Sequence, residues 1–314
     1  MQSSNRIVTA LKQNIARVVV GKEDVVELLL TALLCEGHVL IEDVPGVGKT
    51  TLCSALARSL SCSFKRIQFT PDITPSDITG YTVPSLTGEM QYRPGAIFSQ
   101  IVLADEINRT SPKTQSALLE VMEERQVTVD GVTYPLSRPF MVLATQNPVD
   151  FVGTYPLPEA QMDRFFMRIS IGYPTLEDEM DILERYCGES TPMQTLTPVC
   201  SAEDVLSMQQ EVKQVYCSRE VRGYIASICA ATRATPMLTL GASTRAAIAL
   251  VHAAQASAVL CGRDYIIPED VQRMAASVLC HRFVLSADAR MRGFTPEQAL
   301  GELMGGVRVP VRLK

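Results

Sequence analysis

At 314 residues the chain is long enough for about two domains with real cores, and 46% hydrophobic with 20% charged residues is ordinary globular composition. A net charge of −5 argues against a protein whose main business is coating nucleic acid. The N-terminal stretch is too polar for a signal peptide and no apolar run reaches membrane length, while nine scattered cysteines without a CxxC pair predict reduced core thiols of a cytosolic protein.

In chain order, residues 23 to 35 place Val26, Leu29, Leu30, Leu33 and Leu34 on one side of a helix. A short buried strand, "HVLIE" from His38, follows, then the loop "DVPGVGKT", then a helix with Leu52, Ala55, Leu56 and Leu60 at helical spacing. The pattern GxxxxGK(S/T) would open on glycine, but here the first position is Asp43. Glycine is needed where the backbone turns with positive φ or approaches phosphate closely, which points to Gly46 and Gly48. Asp tolerates a left-handed backbone and can bond downstream N–H groups, so Asp43 is expected to support the turn and point away from phosphate. In such a strand–loop–helix, N–H groups converge on phosphate oxygens; Lys49 would reach the β- and γ-phosphates and Thr50 would place its hydroxyl on Mg²⁺.

"FKRIQFT", "SQIVLADE" and "PFMVLATQN" read as further strands, each apolar enough to be buried on both faces. Between the last two, Ser111 is an N-cap and Pro112 a first helical residue. Strands alternating with helices imply a parallel α/β sheet. Residues 80 to 94 and 126 to 136 look like inserted hairpins, turning at Thr87-Gly88 and Asp130-Gly131. After "RISIGYPT" the alternation stops, and helices are expected at 176–187, 201–216, 219–234, 243–262 and 268–281, with a connector from Gly188. The boundary falls near residue 173, giving a nucleotide-binding core, 1–172, and a helical lid region, 173–314.

Hydrolysis of a phosphoanhydride needs a carboxylate near the metal, here Asp105, and a second to activate water, here Glu106. Asn147 leaves a buried strand, where its amide could hold the γ-phosphate or the lytic water, or serve as a turn residue before Pro148. Arg164 could satisfy carbonyls at a helix end or complete a neighbour's site as an arginine finger, and spacing alone favours the former. Arg245, in the first turn of a lid helix, is a cation at the unfavourable end unless it meets an anion.

The motifs "EDVPGVGKTT", "QFTPDITPSDITG", "LADEINRTSPKTQSALLEVMEE", "ATQNPVDFVGTYPLPEAQMDRF" and "LGASTRA", in order from about residue 6 to 307, resemble the MoxR family of AAA+ ATPases. The resemblance implies an AAA+ P-loop αβα core with a parallel sheet, a helix-2 insert, a pre-sensor-1 hairpin and a C-terminal α-helical lid. By matching position it implies that Pro45, Gly46, Val47, Gly48, Lys49, Thr50 and Thr51 form Walker A. It likewise makes Asp105 and Glu106 Walker B, Asn147 sensor 1, Arg164 the arginine finger and Arg245 sensor 2, with Val20 and Gly21 near adenine. The expected function is Mg²⁺-dependent ATP hydrolysis by a cytoplasmic homo-oligomer, a hexameric ring, remodelling or maturing a protein client with a von Willebrand factor A domain. Membrane insertion is not expected. A nucleic-acid motor is disfavoured because "TVPSLTGEM" and "VTVDGVTYPL" carry no basic residue; a magnesium-chelatase-like motor differs only by resemblance, and a non-enzymatic nucleotide switch is disfavoured by Glu106 and Arg164.

Overall fold

Five short strands form the central sheet: β1 (Val39–Glu42), β2 (Phe64–Gln68), β3 (Ile101–Asp105), β4 (Met141–Gln146) and β5 (Met167–Ile169). Every pairing is parallel and the order is β2-β3-β4-β1-β5. The computed structural model describes residues 2–85, 89–147, 153–187 and 192–310. All residues of β3 are buried, as expected of a parallel strand covered by helices on both faces. β2 corrects the sequence expectation. It is an edge strand whose Lys65, Arg66 and Gln68 are exposed, so only Ile67 is fully buried. β5 has three residues, too few to show a period, and was not expected as a strand.

The principal helices are α1 (Gln2–Ala16), α2 (Glu23–Leu34), α3 (Lys49–Ser59), α4 (Pro112–Glu124), α5 (Leu176–Tyr186), α6 (Ala202–Gln214), α7 (Arg219–Ala234), α8 (Thr244–Leu260), α9 (Pro268–Leu279) and α10 (Pro296–Gly306). Several of their starts follow capping chemistry. Ser111 accepts from Thr114 N–H ahead of Pro112, and capping boxes pair Thr175 with Asp178, Ser201 with Asp204 and Thr295 with Gln298. α1 and α10 were not foreseen, although Val8, Leu11 and Ile15 of α1 are buried in the core. α8 is an alanine-rich buried helix, and among the described residues no helix is long and apolar enough to cross a membrane.

The two hairpins are present, Gly80–Pro84 with Met90–Pro94 and Gln126–Val129 with Val132–Pro135. Asp130 (φ 50°) and Gly131 (φ 78°) make the second turn, with positive φ at both central positions. Tyr92 stacks on Tyr134 with centroids 4.0 Å apart and Thr82 donates to Asp130, so the insertions pack on each other. The expected turn at Thr87-Gly88, Pro148 and the connector's start at Gly188 lie outside the described residues.

One hydrophobic cluster runs from α1, α2 and α3 through β1, β3 and β4 into α6, α7, α8 and α9. α5 stands apart from it. None of its residues is buried, and Leu176, Met180 and Leu183 are 76%, 62% and 62% exposed at spacings that put them on one face. Of the cysteines, Cys53, Cys200, Cys229 and Cys280 are buried, whereas Cys187 and Cys261 are exposed. All nine are free thiols.

Candidate active site

The loop leaving β1 turns through Gly46 (φ 88°) and Gly48 (φ 87°), the two positions the sequence marked. A Cβ at either would meet nothing within 4 Å, so backbone conformation rather than crowding selects glycine. α3 then begins without a side-chain cap and without an acidic residue in its first turn, unlike α5, α6 and α10. Its first N–H groups and the positive end of its dipole therefore suit an anion. Pro45, Gly46 and Gly48 are exposed, and Val47, Lys49, Thr50 and Thr51 are half-buried. Lys49 Nζ donates to the Asp43 backbone carbonyl at 2.9 Å.

Asp43 points away from the loop, as expected, but by a different device. Its backbone is not left-handed and it does not cap its own downstream N–H groups. Instead the buried carboxylate reaches across to the chain leaving β5, where Oδ2 accepts from Ile171 N–H, from Gly172 N–H at 3.0 Å and from the Ser170 hydroxyl at 3.2 Å. Adjacent strands decide this, since β1 and β5 are paired and end together.

Asp105 closes β3 beside the phosphate-loop helix. The Cys53 thiol, one turn beyond Thr50, is pushed up by burial and further by the Asp105 carboxylate. Asp105 Oδ1 accepts from the Thr145 hydroxyl at 2.6 Å, while Oδ2 accepts from Arg66 Nη2 at 2.6 Å and Nε at 3.1 Å. Glu106 adopts the left-handed region (φ 59°), uncommon for glutamate, and its N–H donates to Thr145 Oγ1 at 2.9 Å. Its carboxylate accepts from Gln68 Nε2 and Arg109 Nη1, each at 3.0 Å. Thr145 thus ties the two carboxylate residues together. Asn147 follows β4 at the same end of the sheet and is buried, its carbonyl accepting from Asn108 Nδ2 at 3.4 Å.

Arg66, Gln68, Arg109 and Thr145 were missed from sequence. A signal existed for the first two, because residues two apart in a strand share a face and polar residues in a supposedly buried strand need a reason.

Arg164 and Arg245 lie elsewhere. Arg164 Nη1 is 3.1 Å from Glu123 Oε2 and donates to the Leu119 carbonyl at 3.2 Å; Arg245 Nη2 donates to Glu123 Oε1 at 2.8 Å. The anion that Arg245 needs at its helix start is Glu123 in this structure. Both arginines line a hollow of about 280 Å³ shared with Gly37, His38 and Phe166, residues that lead into β1 and β5. In a parallel sheet this is the end opposite the phosphate loop. Arg282 Nε lies 2.7 Å from Asp163 in the same hollow, an ion pair whose N–H is not aligned for a hydrogen bond. His38 donates from Nε2 to the Met122 carbonyl and accepts at Nδ1 from Val142 N–H, both at 2.9 Å, and burial pulls its pKa down to about 4.

Val20 is buried and Gly21 (φ 65°) packs on α5, where a Cβ would come within 2.2 Å of the Asp178 carboxylate. Lys22 Nζ donates to the Tyr173 carbonyl at 2.9 Å. Segment 170–178 therefore runs from Asp43 to Gly21.

Residues 38–167 match the family described as "ATPase family associated with various cellular activities (AAA)", and residues 230–303 match the AAA lid domain. The chain is 53% identical to YeaC of Bacillus subtilis (strain 168), covering 96% of this chain and 94% of that protein. It is 40% identical to Chaperone MoxR1 of Mycobacterium tuberculosis, covering 94% and 80%. Protein MoxR of Paracoccus denitrificans is 31% identical, with 86% of each chain covered. A crystal structure from Cytophaga hutchinsonii, of a protein assigned as an ATPase, superposes with a TM-score of 0.92 at 38% identity, covering 99% of this chain and 97% of that one. Shared motifs, the sheet order, the lid and these likenesses agree: the chain belongs to the MoxR family of AAA+ ATPases.

Proposed function

We propose that the protein hydrolyses ATP with Mg²⁺ in a site completed by a second copy of the chain, and uses the reaction to remodel or mature a client protein. The observation that carries this reading is the division of labour across the sheet. An uncapped phosphate-loop helix and two carboxylates lie at one end, and a pair of part-exposed arginines lies at the other. Gly46, Val47 and Gly48 would present N–H groups to the phosphates, with Pro45 shaping the loop and Lys49 shifting from the Asp43 carbonyl to phosphate oxygen. Thr51 follows in the same first helical turn.

Mg²⁺ prefers oxygen ligands from one or two side chains together with phosphates and water, which suits Thr50 and Asp105. Among the described residues no cluster of three or more His, Cys, Asp or Glu could hold a metal without such help. The ion would supply Lewis-acid neutralisation of phosphate charge. Asp105 Oδ2, engaged by Arg66, would serve it through water. Glu106 would orient and deprotonate the attacking water, and Asn147 would hold that water or the γ-phosphate. Val20 and Gly21 would border adenine.

Arg164 and Arg245 would act on a neighbouring copy's nucleotide, because the sheet separates them from their own loop. The apolar face of α5 would help seat that neighbour. We take the assembly to be a hexameric ring in the cytoplasm and the client to carry a von Willebrand factor A domain, on family resemblance; one relative is named a chaperone. The core–lid division is kept at residues 172 and 173.

Glu106→Gln tests the core of the proposal. It should retain ATP binding while hydrolysis falls by about 10²–10⁴, the range for losing a positioned acid–base group. Hydrolysis at the parent rate would remove Glu106 from the mechanism. Under ATP the same variant should retain its client in a pull-down, whose identification by mass spectrometry tests the domain assignment.

A further inference from the structure

We propose that Asp43 is a positioning residue that ties the phosphate loop to the exit of β5, and so fixes the direction in which α5 leaves the core. This rests on the proposed function for its kinetic consequences, but the tether itself does not.

Asp43 is a carboxylate almost fully withdrawn from water, and a buried charge is tolerated only when donors surround it. Among the described residues its side-chain hydrogen bonds fall on one oxygen, Oδ2, and come from consecutive residues, Ser170, Ile171 and Gly172. Two are backbone N–H groups beyond Ile169, the last residue of β5 paired with β1 among the described residues. Gly172 (φ 66°) then turns the chain, and a Cβ there would meet nothing within 4 Å, so the glycine is a pivot rather than a packing necessity. Immediately after it the Tyr173 carbonyl is held by Lys22, and α5 begins.

On its other side the same residue offers its backbone carbonyl to Lys49. One amino acid thereby holds the loop lysine through its main chain and the linker through its side chain. The position that most loops of this kind give to glycine has here become a fastening point. Glycine could not supply it, because the tether requires a side-chain acceptor. The carboxylate faces the linker and not the phosphates, so its removal should loosen the linker without stripping contacts from bound nucleotide.

The test compares Asp43→Ala and Asp43→Asn with the parent, using full-length protein. In nucleotide-free protein, amide hydrogen exchange at Ile171 and Gly172 should accelerate at least tenfold in the alanine variant. It should be intermediate in the asparagine variant, whose amide oxygen still accepts. With ATP, the alanine variant should keep KM within a few-fold while kcat falls at least tenfold, with asparagine restoring part of kcat. A merely structural role would lower Tm but leave both constants of the folded protein unchanged, and would overturn the proposal. Unchanged exchange at 171 and 172 would overturn the tether itself. A large rise in KM with kcat intact would overturn it too, by placing the carboxylate against the nucleotide. A parent protein that binds no ATP would defeat the proposed function alone, since the exchange measurement would still decide the tether.

Discussion

The two ends of the parallel sheet hold the same kinds of charged group in opposite arrangements. At the C-terminal end carboxylates are central: Asp105 is met by Arg66 and Glu106 by Arg109, while Lys49 rests on a backbone carbonyl. At the N-terminal end arginines are central: Arg164 and Arg245 divide one carboxylate, Glu123, and their side chains remain 34% and 55% exposed. One end has a helix terminus and a lysine suited to an anion. The other has cationic charge that a single shared glutamate does not fully neutralise. Within one chain the sheet keeps these complementary ends apart, and a second copy could bring them together.

The strongest way to break this comparison is to disable each end in a separate chain. Arg164→Ala keeps its phosphate loop but cannot serve a neighbour, and Lys49→Ala does the reverse. Each alone should lose hydrolysis, about 10³–10⁵ for an arginine finger supplied in trans, and a mixture should regain part of it. A folded, co-assembling mixture that stays inactive would show that the arginines act within their own chain or not at all.

Next in size is the seat of the neighbour. A large apolar side chain contributes roughly 1.5–3 kcal/mol on full burial, so Met180→Glu with Leu183→Glu should raise the concentration at which activity appears by more than about tenfold. Tm should stay near the parent's, because both side chains are exposed. An unchanged concentration dependence would leave α5 out of the assembly.

The arginine end also carries a pH signature. The folded pKa of His38, about 4, lies below its ordinary 6.5, so folding favours the neutral ring. Its contribution is complete above pH 6.5 and is withdrawn as pH falls from there towards 4. At pH 5 the deficit is about 2 kcal/mol, measurable by denaturant unfolding at pH 7 and pH 5. His38→Gln should flatten that part of the slope; an unchanged slope would assign it to other groups.

The smallest effect expected is that of Glu123→Gln. Part-exposed ion pairs are worth roughly 0–1 kcal/mol, so stability should barely move and hydrolysis should change by no more than a few-fold. A loss as deep as that of Arg164→Ala would make the glutamate, rather than the arginines, the working group at this end.

Much of this was legible in order along the chain. Gly46 and Gly48 announced a backbone with positive φ, the Asp130-Gly131 pair announced a hairpin turn, and Ser111-Pro112 announced a helix start, because each depends on local stereochemistry. "IVLAD" announced a buried parallel strand because both its faces are covered. β2 differs from the expectation because Phe64, Ile67 and the Phe69 that follows resemble the apolar residues of a central strand, and only the strand order makes it an edge with Arg66 and Gln68 free to reach the carboxylates.

The sequence by itself determined the local chemistry: a phosphate loop, two acidic residues at a strand end, an amide after a buried strand and two candidate arginines. Tertiary structure decided who meets whom. Asp43 finds its donors some 130 residues later because β1 and β5 are neighbours, with separations of 127 to 129 positions along the chain. Glu123 joins Arg245 across 122 positions because the start of α8 lies near the end of α4. Spacing encodes contacts within a turn or a hairpin through fixed backbone geometry. Contacts between strands brought together by crossover helices depend on sheet order, which no local pattern contains.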